Sequence, residues 1–220
     1  MTRQVHSDNQ QNLVQQFNLP GASISLWPDW LAPQLADSVM QQLQQQLPWT
    51  QDTIVMFGKT VKIPRTQVWM GDAHCSYRYS GTTFAPQPWH PVVQDLAQRV
   101  SGFLQQPFNC VLLNCYVDGQ QHMGWHADNE QELGHDPHIA SLSLGATRRF
   151  ELKHRAAPWQ LALDLTPGSL LLMAGGCQHH WLHRLPKQLQ HKAFSQSCLI
   201  NAVQDVRFWQ TSMLTTSGWR

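Results

Sequence analysis

The run NCYVDGQQHMGWHADNEQELGHDPHIASLSLGATRRF, from Asn114 to Phe150, decides how the rest of the chain is read. At its centre is Trp125-His126-Ala127-Asp128. In an extended segment residues i and i+2 share a face, so the His126 imidazole and the Asp128 carboxylate point the same way. One histidine and one carboxylate are two of the three ligands of a 2-His-1-carboxylate iron centre, a set that leaves coordination positions open. The remaining ligand has to come from a later strand packed beside this one. Gly176-Cys-Gln-His-His-Trp-Leu-His-Arg184 offers His179, His180 and His183. In a strand His179 and His180 face opposite ways, and His183 shares the face of Trp181. Spacing alone leaves all three open, and an isolated H-x-D triplet also arises by chance.

Around this stretch the composition is that of one ordinary domain. The 220 residues are 42% hydrophobic, with ten Trp and eight Phe, enough for a core. Charged residues make up 13% and the formal net charge is +1, so there is no global basic field and any polyanion site has to be local. The five cysteines, Cys75, Cys110, Cys115, Cys177 and Cys198, form no C-x-x-C pair. They argue against a disulfide framework or a cysteine zinc cluster and for a reducing compartment. No apolar run reaches membrane-spanning length, and MTRQVHSDNQQNLVQQF lacks the apolar core of a secretory signal. A cytoplasmic protein without a membrane partner is expected.

Residues 1–20, rich in Gln and Asn, are expected to form a poorly ordered extension to a single domain over 21–220. Ile24–Trp27 reads as a short strand. Pro28-Asp29 then opens a helix to about Gln46, with Leu31, Leu35, Val39 and Leu43 four apart on a core-facing stripe. Within Thr53–Pro64 two apolar runs flank Gly58-Lys59, a hairpin signal with Phe57 near the tip. Taken alone, Phe57 can fold back into the core or project. Thr66–Tyr79 adds β structure about Gly71-Asp72, and a helix from about Val92 to Leu104 ends before Pro107. Beyond Asn109 short strands dominate: Val111–Tyr116, Ile139–Leu144, Arg149–Lys153, Leu161–Leu165 and Gly168–Met173. Many short strands preceded by helices predict an α+β, mainly β domain, a sandwich or jelly roll with N-terminal helical support. Arg148, Arg149, Lys153, His154 and Arg155 crowd one hairpin, and Arg184 and Lys187 flank His183. This is the local positive charge available to phosphates, although such a run is usually a solvated face.

Further motifs follow in order. N-x-Y-x-D-G-x(5)-W-H-x-D-x-E from Asn114 is succeeded by P-x-I-A-S-L-S-L-G-x-x-R-x-F, G-S-L-L-x-M and W-x-H-x-x-P-K. Upstream stand Phe57-Gly58-Lys59, Pro64-Arg65, Gly71-Asp72 and Tyr77-x-Tyr79-Ser80-Gly81. Over roughly residues 53–187 this resembles the AlkB family of iron(II)/2-oxoglutarate dioxygenases, above all its members that repair duplex DNA. The resemblance implies a double-stranded β-helix (jelly-roll) core, with iron(II), 2-oxoglutarate and dioxygen as the reacting set. His126, Asp128 and His183 match the iron ligands and catalytic centre, and Asn114 and Tyr116 match side chains that hydrogen-bond 2-oxoglutarate. Glu130 and Tyr77 match contacts to the target base, and Phe57 matches a finger that fills the gap left by a flipped base. Arg148 and Arg149 belong to the basic hairpin expected against the DNA. The implied chemistry hydroxylates the N-alkyl group of a damaged base and releases formaldehyde, with succinate and CO2 from the co-substrate. The expected partner is DNA, duplex first, with single strands or RNA as alternatives, and the expected state is a monomer. Extruding a base from a duplex costs roughly a few kcal/mol, which an apolar wedge offsets in part.

The match breaks near the C-terminus. The family closes with R-x-N-x-T-x-R, whose arginines hold the 2-oxoglutarate carboxylates. Here Leu199-Ile-Asn201-Ala-Val203-Gln-Asp205 stands in its place. Asn201 is kept, while Leu199 and Asp205 occupy the arginine positions. Arg207, two residues on and of the same strand parity, is the remaining candidate in a segment, 192–220, with little family character. A catalytically dead relative that binds iron and nucleic acid is therefore the rival reading, and a dioxygenase acting on RNA or protein, sharing the metal site, is a third.

Overall fold

In the computed structural model, residues 3–6, 13–56, 58–75, 77–79, 82–188 and 196–203 are described. The chain runs β1 (Arg3–His6), β2 (Val14–Leu19), β3 (Ala22–Trp27) and α1 (Pro33–Gln46). Next come β4 (Thr53–Met56), β5 (Lys59–Lys62), β6 (Thr66–Gly71), β7 (Tyr77–Tyr79), β8 (Thr82–Phe84) and α2 (Pro91–Leu104). The remainder is β9 (Cys110–Tyr116), β10 (Met123–His126), β11 (Ile139–Gly145), β12 (Arg148–His154), β13 (Gln160–Leu165), β14 (Leu170–Ala174), the single-turn α3 (Cys177–His180), β15 (Trp181–Leu185) and β16 (Ser197–Val203).

From β9 onward, apart from the β12–β13 hairpin, the chain alternates between two antiparallel sheets. The larger has the order β1-β2-β3-β14-β11-β16-β9-β6 and the smaller β10-β15-β12-β13. This is the jelly-roll core expected from the sequence. Its layers follow from strand parity. In β9, Val111, Leu113 and Cys115 pack outward with Val39, Met40 and Leu43 of α1 and Val93, Leu96 and Val100 of α2. Tyr116 of the same strand turns inward, where Phe150, Leu152, Leu163 and Trp181 of the smaller sheet and its neighbourhood meet it. The β16 strand repeats the pattern, with Cys198, Ile200 and Ala202 outward and Leu199 and Val203 inward.

Two expectations are corrected. Residues 14–19 are a strand: β2 pairs antiparallel with β3, Phe17 opposite Ile24, and Leu19 is buried. The Gln-rich composition conceals an alternation in which Phe17 and Leu19 turn inward, joined to β3 through Gly21 at φ +70°. The first helix begins at Pro33, a residue favoured in the first turn because it has no N–H to leave unpaired. Before it, the Leu31 amide is tied to the Gly168 carbonyl at 2.9 Å, which holds that stretch as a loop. The core stripe is therefore Ala36, Val39, Met40 and Leu43, and Leu35 is exposed.

The β4–β5 hairpin is present, with Gly58 at its turn and at φ +75°, a conformation other residues adopt only with strain. Phe57 lies outside the described residues, as do Asp205 and Arg207 and the side chain of Tyr77. All five cysteines are buried and free. No helix among the described residues is long and apolar enough to cross a membrane.

Candidate active site

His126 ends β10 and sits directly opposite His183 of β15 in the sheet register. Asp128 follows two residues later and completes the group: His126 Nε2 lies 3.8 Å from Asp128 Oδ1, and His183 Nε2 lies 3.6 Å from Asp128 Oδ2. The three ligand atoms all fall within 4.8 Å of one another, an arrangement able to hold one metal ion. The choice left open by spacing is thereby made by register. His179 and His180 lie on α3, where the chain is not extended, and neither joins the group. His180 stacks against His154 at 6.2 Å. His179 belongs with His135 and Asp136 to a second, exposed cluster, its Nε2 contacting the His135 carbonyl.

Neighbouring groups prepare the ligands. The His126 Nδ1 bonds the Gly124 carbonyl at 2.9 Å, which assigns the ring proton to Nδ1 and leaves Nε2 free for a metal. Phe150 stacks on His183 with 5.5 Å between ring centroids. Burial, with the neighbouring His126 as a smaller cause, holds the His183 pKa well below the ordinary imidazole value, so the ring is neutral at neutral pH. The Asp128 side chain is 27% exposed and lines the cavity described below. Burial raises its pKa, with the His126 and Arg65 charges acting against the rise. The Asp128 amide donates to Gln178 Oε1 at 3.0 Å, fixing the turn that aims the carboxylate. Phe150 closes one of the quoted motifs without a role being read for it, and Gln178 is a supporting residue that no motif marked.

The metal group heads a cavity of about 400 Å³, of the size of small-molecule sites. Asn114, Tyr116, Ser141, Leu199 and Asn201 line it from the larger sheet, Glu130 from the loop after Asp128, and Arg65 and Gln67 from the start of β6. Asn114 accepts from Arg65 Nε at 2.7 Å, and Asn201 accepts from the Ser141 hydroxyl at 2.7 Å. Burial pushes the Tyr116 hydroxyl up to about 12, with Arg65 and Arg148 pulling the other way, so it remains a proton donor at neutral pH. A wall of amide, hydroxyl and guanidinium donors beside a His-Asp-His set suits a chelating acid with a second carboxylate. The residues present therefore fit both iron(II) and 2-oxoglutarate. Leu199 occupies the inward row beside Asn114, its partner across the strands, so β16 presents an apolar side chain where the resemblance leads one to expect an arginine.

The basic hairpin is corrected in part. Arg148 alternates with the buried Phe150 and Leu152 and is itself 4% exposed. Its guanidinium donates to the carbonyls of Asp118, Gln121 and Pro186 and to the Ser197 hydroxyl, and it lies 5.1 Å from the Tyr116 ring. It is an internal brace, not a surface phosphate contact. Arg149 points outward and pairs with Asp164 at 3.1 Å. Lys153 and Arg184 both pack on Trp125, and Arg184 also pairs with Glu151 at 2.6 Å.

A family profile described as "2OG-Fe(II) oxygenase superfamily" matches residues 5–211. The chain is 37% identical over 175 residues to the human "Alpha-ketoglutarate-dependent dioxygenase alkB homolog 3", covering 75% of this chain and 60% of that protein. It is 38% identical over 162 residues to the human "DNA oxidative demethylase ALKBH2", covering 69% of this chain and 62% of that protein. The matches thus span about three fifths of these human relatives. Among solved structures, "The structure of OsALKBH1" superposes with a TM-score of 0.56 at 16% identity, over 85% of this chain and 98% of the other, a likeness of fold. The metal-ligand geometry, the jelly roll and these similarities lead to one conclusion: the chain belongs to the 2OG-Fe(II) oxygenase superfamily and, within it, to the AlkB family.

Proposed function

We propose that this protein is an iron(II)- and 2-oxoglutarate-dependent dioxygenase that removes alkyl groups from the ring nitrogens of DNA bases. The observation that carries the reading is the His126-Asp128-His183 group at the head of a donor-lined cavity. The names of the similar demethylases point the same way. Bound iron and keto acid, with dioxygen, supply the oxidising chemistry: the acid leaves as succinate and CO2, and one oxygen atom enters the N-alkyl group. For a methyl group the resulting hydroxymethyl amine releases formaldehyde and restores the base.

The chain's own residues do the rest. His126, Asp128 and His183 would hold the metal through three protein ligands, a set that would leave positions open for co-substrate and oxygen. The His126–Gly124 and Asp128–Gln178 bonds keep the ligand atoms aimed before anything binds. Asn114 and Tyr116 orient the co-substrate through an amide and a protonated phenol. Glu130 at the cavity wall favours a base whose ring carries positive charge after N-alkylation. Base access requires extrusion from the stack, for which Phe57 is the proposed wedge and Tyr77 the proposed pocket aromatic. Arg149 remains a proposed phosphate contact at the surface, together with Asn201 and Arg207 as proposed co-substrate contacts. A single domain that takes in β2 as well as the residues from 21 onward, acting as a monomer in a reducing cytoplasm, suffices for this reading, in keeping with five buried free cysteines.

A second reading, an iron-binding relative without turnover, is favoured by one observation, Leu199 on the inward row of β16. The two separate in one assay. Purified protein with iron(II), 2-oxoglutarate and oligonucleotides carrying N-methylated adenine or cytosine is expected to yield succinate and formaldehyde in equal amounts. Matched duplex, single-strand and RNA substrates rank the partner, and Phe57→Ala is expected to lower duplex activity most. Absence of both products with every substrate would establish the relative without turnover.

A further inference from the structure

Three strands of the larger sheet set the co-substrate wall. Gln67 of β6, Asn114 of β9 and Leu199 of β16 form one rung, and Tyr116 stands opposite Ser197 on the next inward rung. Arg65 directly precedes Thr66, the residue opposite Cys115, and so stands level with Tyr116. It enters from the β6 side of Asn114, across β9 from the position that Leu199 leaves apolar.

Arg65 is 6% exposed, yet no carboxylate among the described residues pairs with it. Its Nε donates to Asn114 Oδ1 at 2.7 Å and its Nη2 to Gln67 Oε1 at 3.2 Å, both neutral amides. Nη1 makes no hydrogen bond to a described residue. Among the described side chains of the cavity wall, Arg65 is the one lysine or arginine. Asp128, the carboxylate whose charge it feels, belongs to the metal group and makes no direct ion pair with it. A buried guanidinium without a directly paired anion is costly, and an incoming carboxylate removes that cost. The complementary need exists in the ligand. A keto acid chelating through its first carboxylate and ketone has that charge neutralised by the metal, whereas its second carboxylate enters the cavity unpaired. Gln67 is itself held by its Nε2 on Asp52 Oδ2 at 2.6 Å, so the Arg65 fork is positioned before binding.

We infer that Arg65 is the anchor of the remote carboxylate of the keto-acid co-substrate, supplied from β6 where β16 carries Leu199. This rests on the dioxygenase reading above, and the two fail differently. The full chain, loaded anaerobically with manganese(II) as a redox-inert stand-in, is titrated calorimetrically with 2-oxoglutarate and with 2-oxobutanoate, which lacks the second carboxylate. Wild type is expected to favour 2-oxoglutarate. Arg65→Gln is expected to weaken 2-oxoglutarate binding by about 10–100-fold, the weight of a charge-assisted hydrogen bond, and to leave 2-oxobutanoate within about twofold. Arg65→Lys, which keeps the charge but not the fork, is expected to fall between, and it provides the readout if Arg65→Gln does not fold. Retention of the preference by the Arg65 variants, or its loss in Arg207→Ala alone, would overturn the assignment and leave the dioxygenase reading standing. A folded, manganese-loaded wild type that binds neither acid would overturn both.

Discussion

A histidine serves as a metal ligand when one ring nitrogen is free, a condition that the Nδ1 bond to the Gly124 carbonyl meets at His126, while burial keeps the His183 ring neutral. The i, i+2 spacing of His126 and Asp128 was readable from the sequence because strand geometry fixes it. The choice of His183 over His179 and His180 was not readable from spacing, because α3 interrupts the strand that spacing assumes. Arg148 was misassigned for a related reason. A cluster of basic residues looks like one face until parity is applied, and Arg148 shares its parity with Phe150 and Leu152. Arg148→Ala strips partners from three carbonyls and a hydroxyl, and is expected to cost about 3 kcal/mol or more in urea unfolding. Arg149→Ala, at an exposed ion pair, is expected to stay within about 1 kcal/mol. Equal losses in both would contradict the brace. Tyr116 gives a pH prediction. An unfolded tyrosine ionises near pH 10, whereas folding pushes this one to about 12. Between those values the folded chain keeps a proton that the unfolded chain has lost, so stability falls as pH rises through the window and is unaffected below it. Wild type is expected to lose about 2 kcal/mol more than Tyr116→Phe between pH 9 and pH 11.5. Parallel losses would show that the phenol is not held neutral.

Elements were legible where one periodicity ruled and obscure where composition spoke against it. The strands β9 and β11 to β14 have close counterparts in the sequence reading because each alternates or forms a short apolar run between turns. The β2 strand was hidden by glutamine and asparagine, since a strand needs only its inward positions to be apolar. At α1 the four-residue spacing from Leu31 through Leu43 misled, because Leu31 is buried from a loop, and the stripe set by the helix runs through Ala36, Val39, Met40 and Leu43. Leu43→Ala is expected to destabilise by about 2–5 kcal/mol and Leu35→Ala by no more than about 0.5 kcal/mol. Chemical denaturation of both variants checks this, and a large loss at Leu35 would restore the earlier stripe.

At the scale of the whole molecule the two sheets explain why the site is where it is. Apart from the β12–β13 hairpin, the jelly roll sends consecutive strands from β9 onward to opposite sheets, so residues distant in sequence become neighbours on β10 and β15, while the facing cavity wall comes from β6, β9, β11 and β16 across the core. The resemblance implies roles for Asn114, Tyr116 and His183, and the structure brings all three to the wall of one cavity. The role inferred for Arg65 was hidden because it precedes its strand and depends on a neighbour, Leu199, far along the chain. Dioxygenase chemistry in this fold requires one ferrous ion at the inner group. Crystals soaked anaerobically with iron(II) and mapped by anomalous diffraction at the iron edge test it most directly. The expected result is a peak within coordination distance of His126 Nε2, His183 Nε2 and an Asp128 oxygen, absent in His183→Ala. A peak only at the exposed His135, Asp136 and His179 cluster, or at neither group, would contradict it.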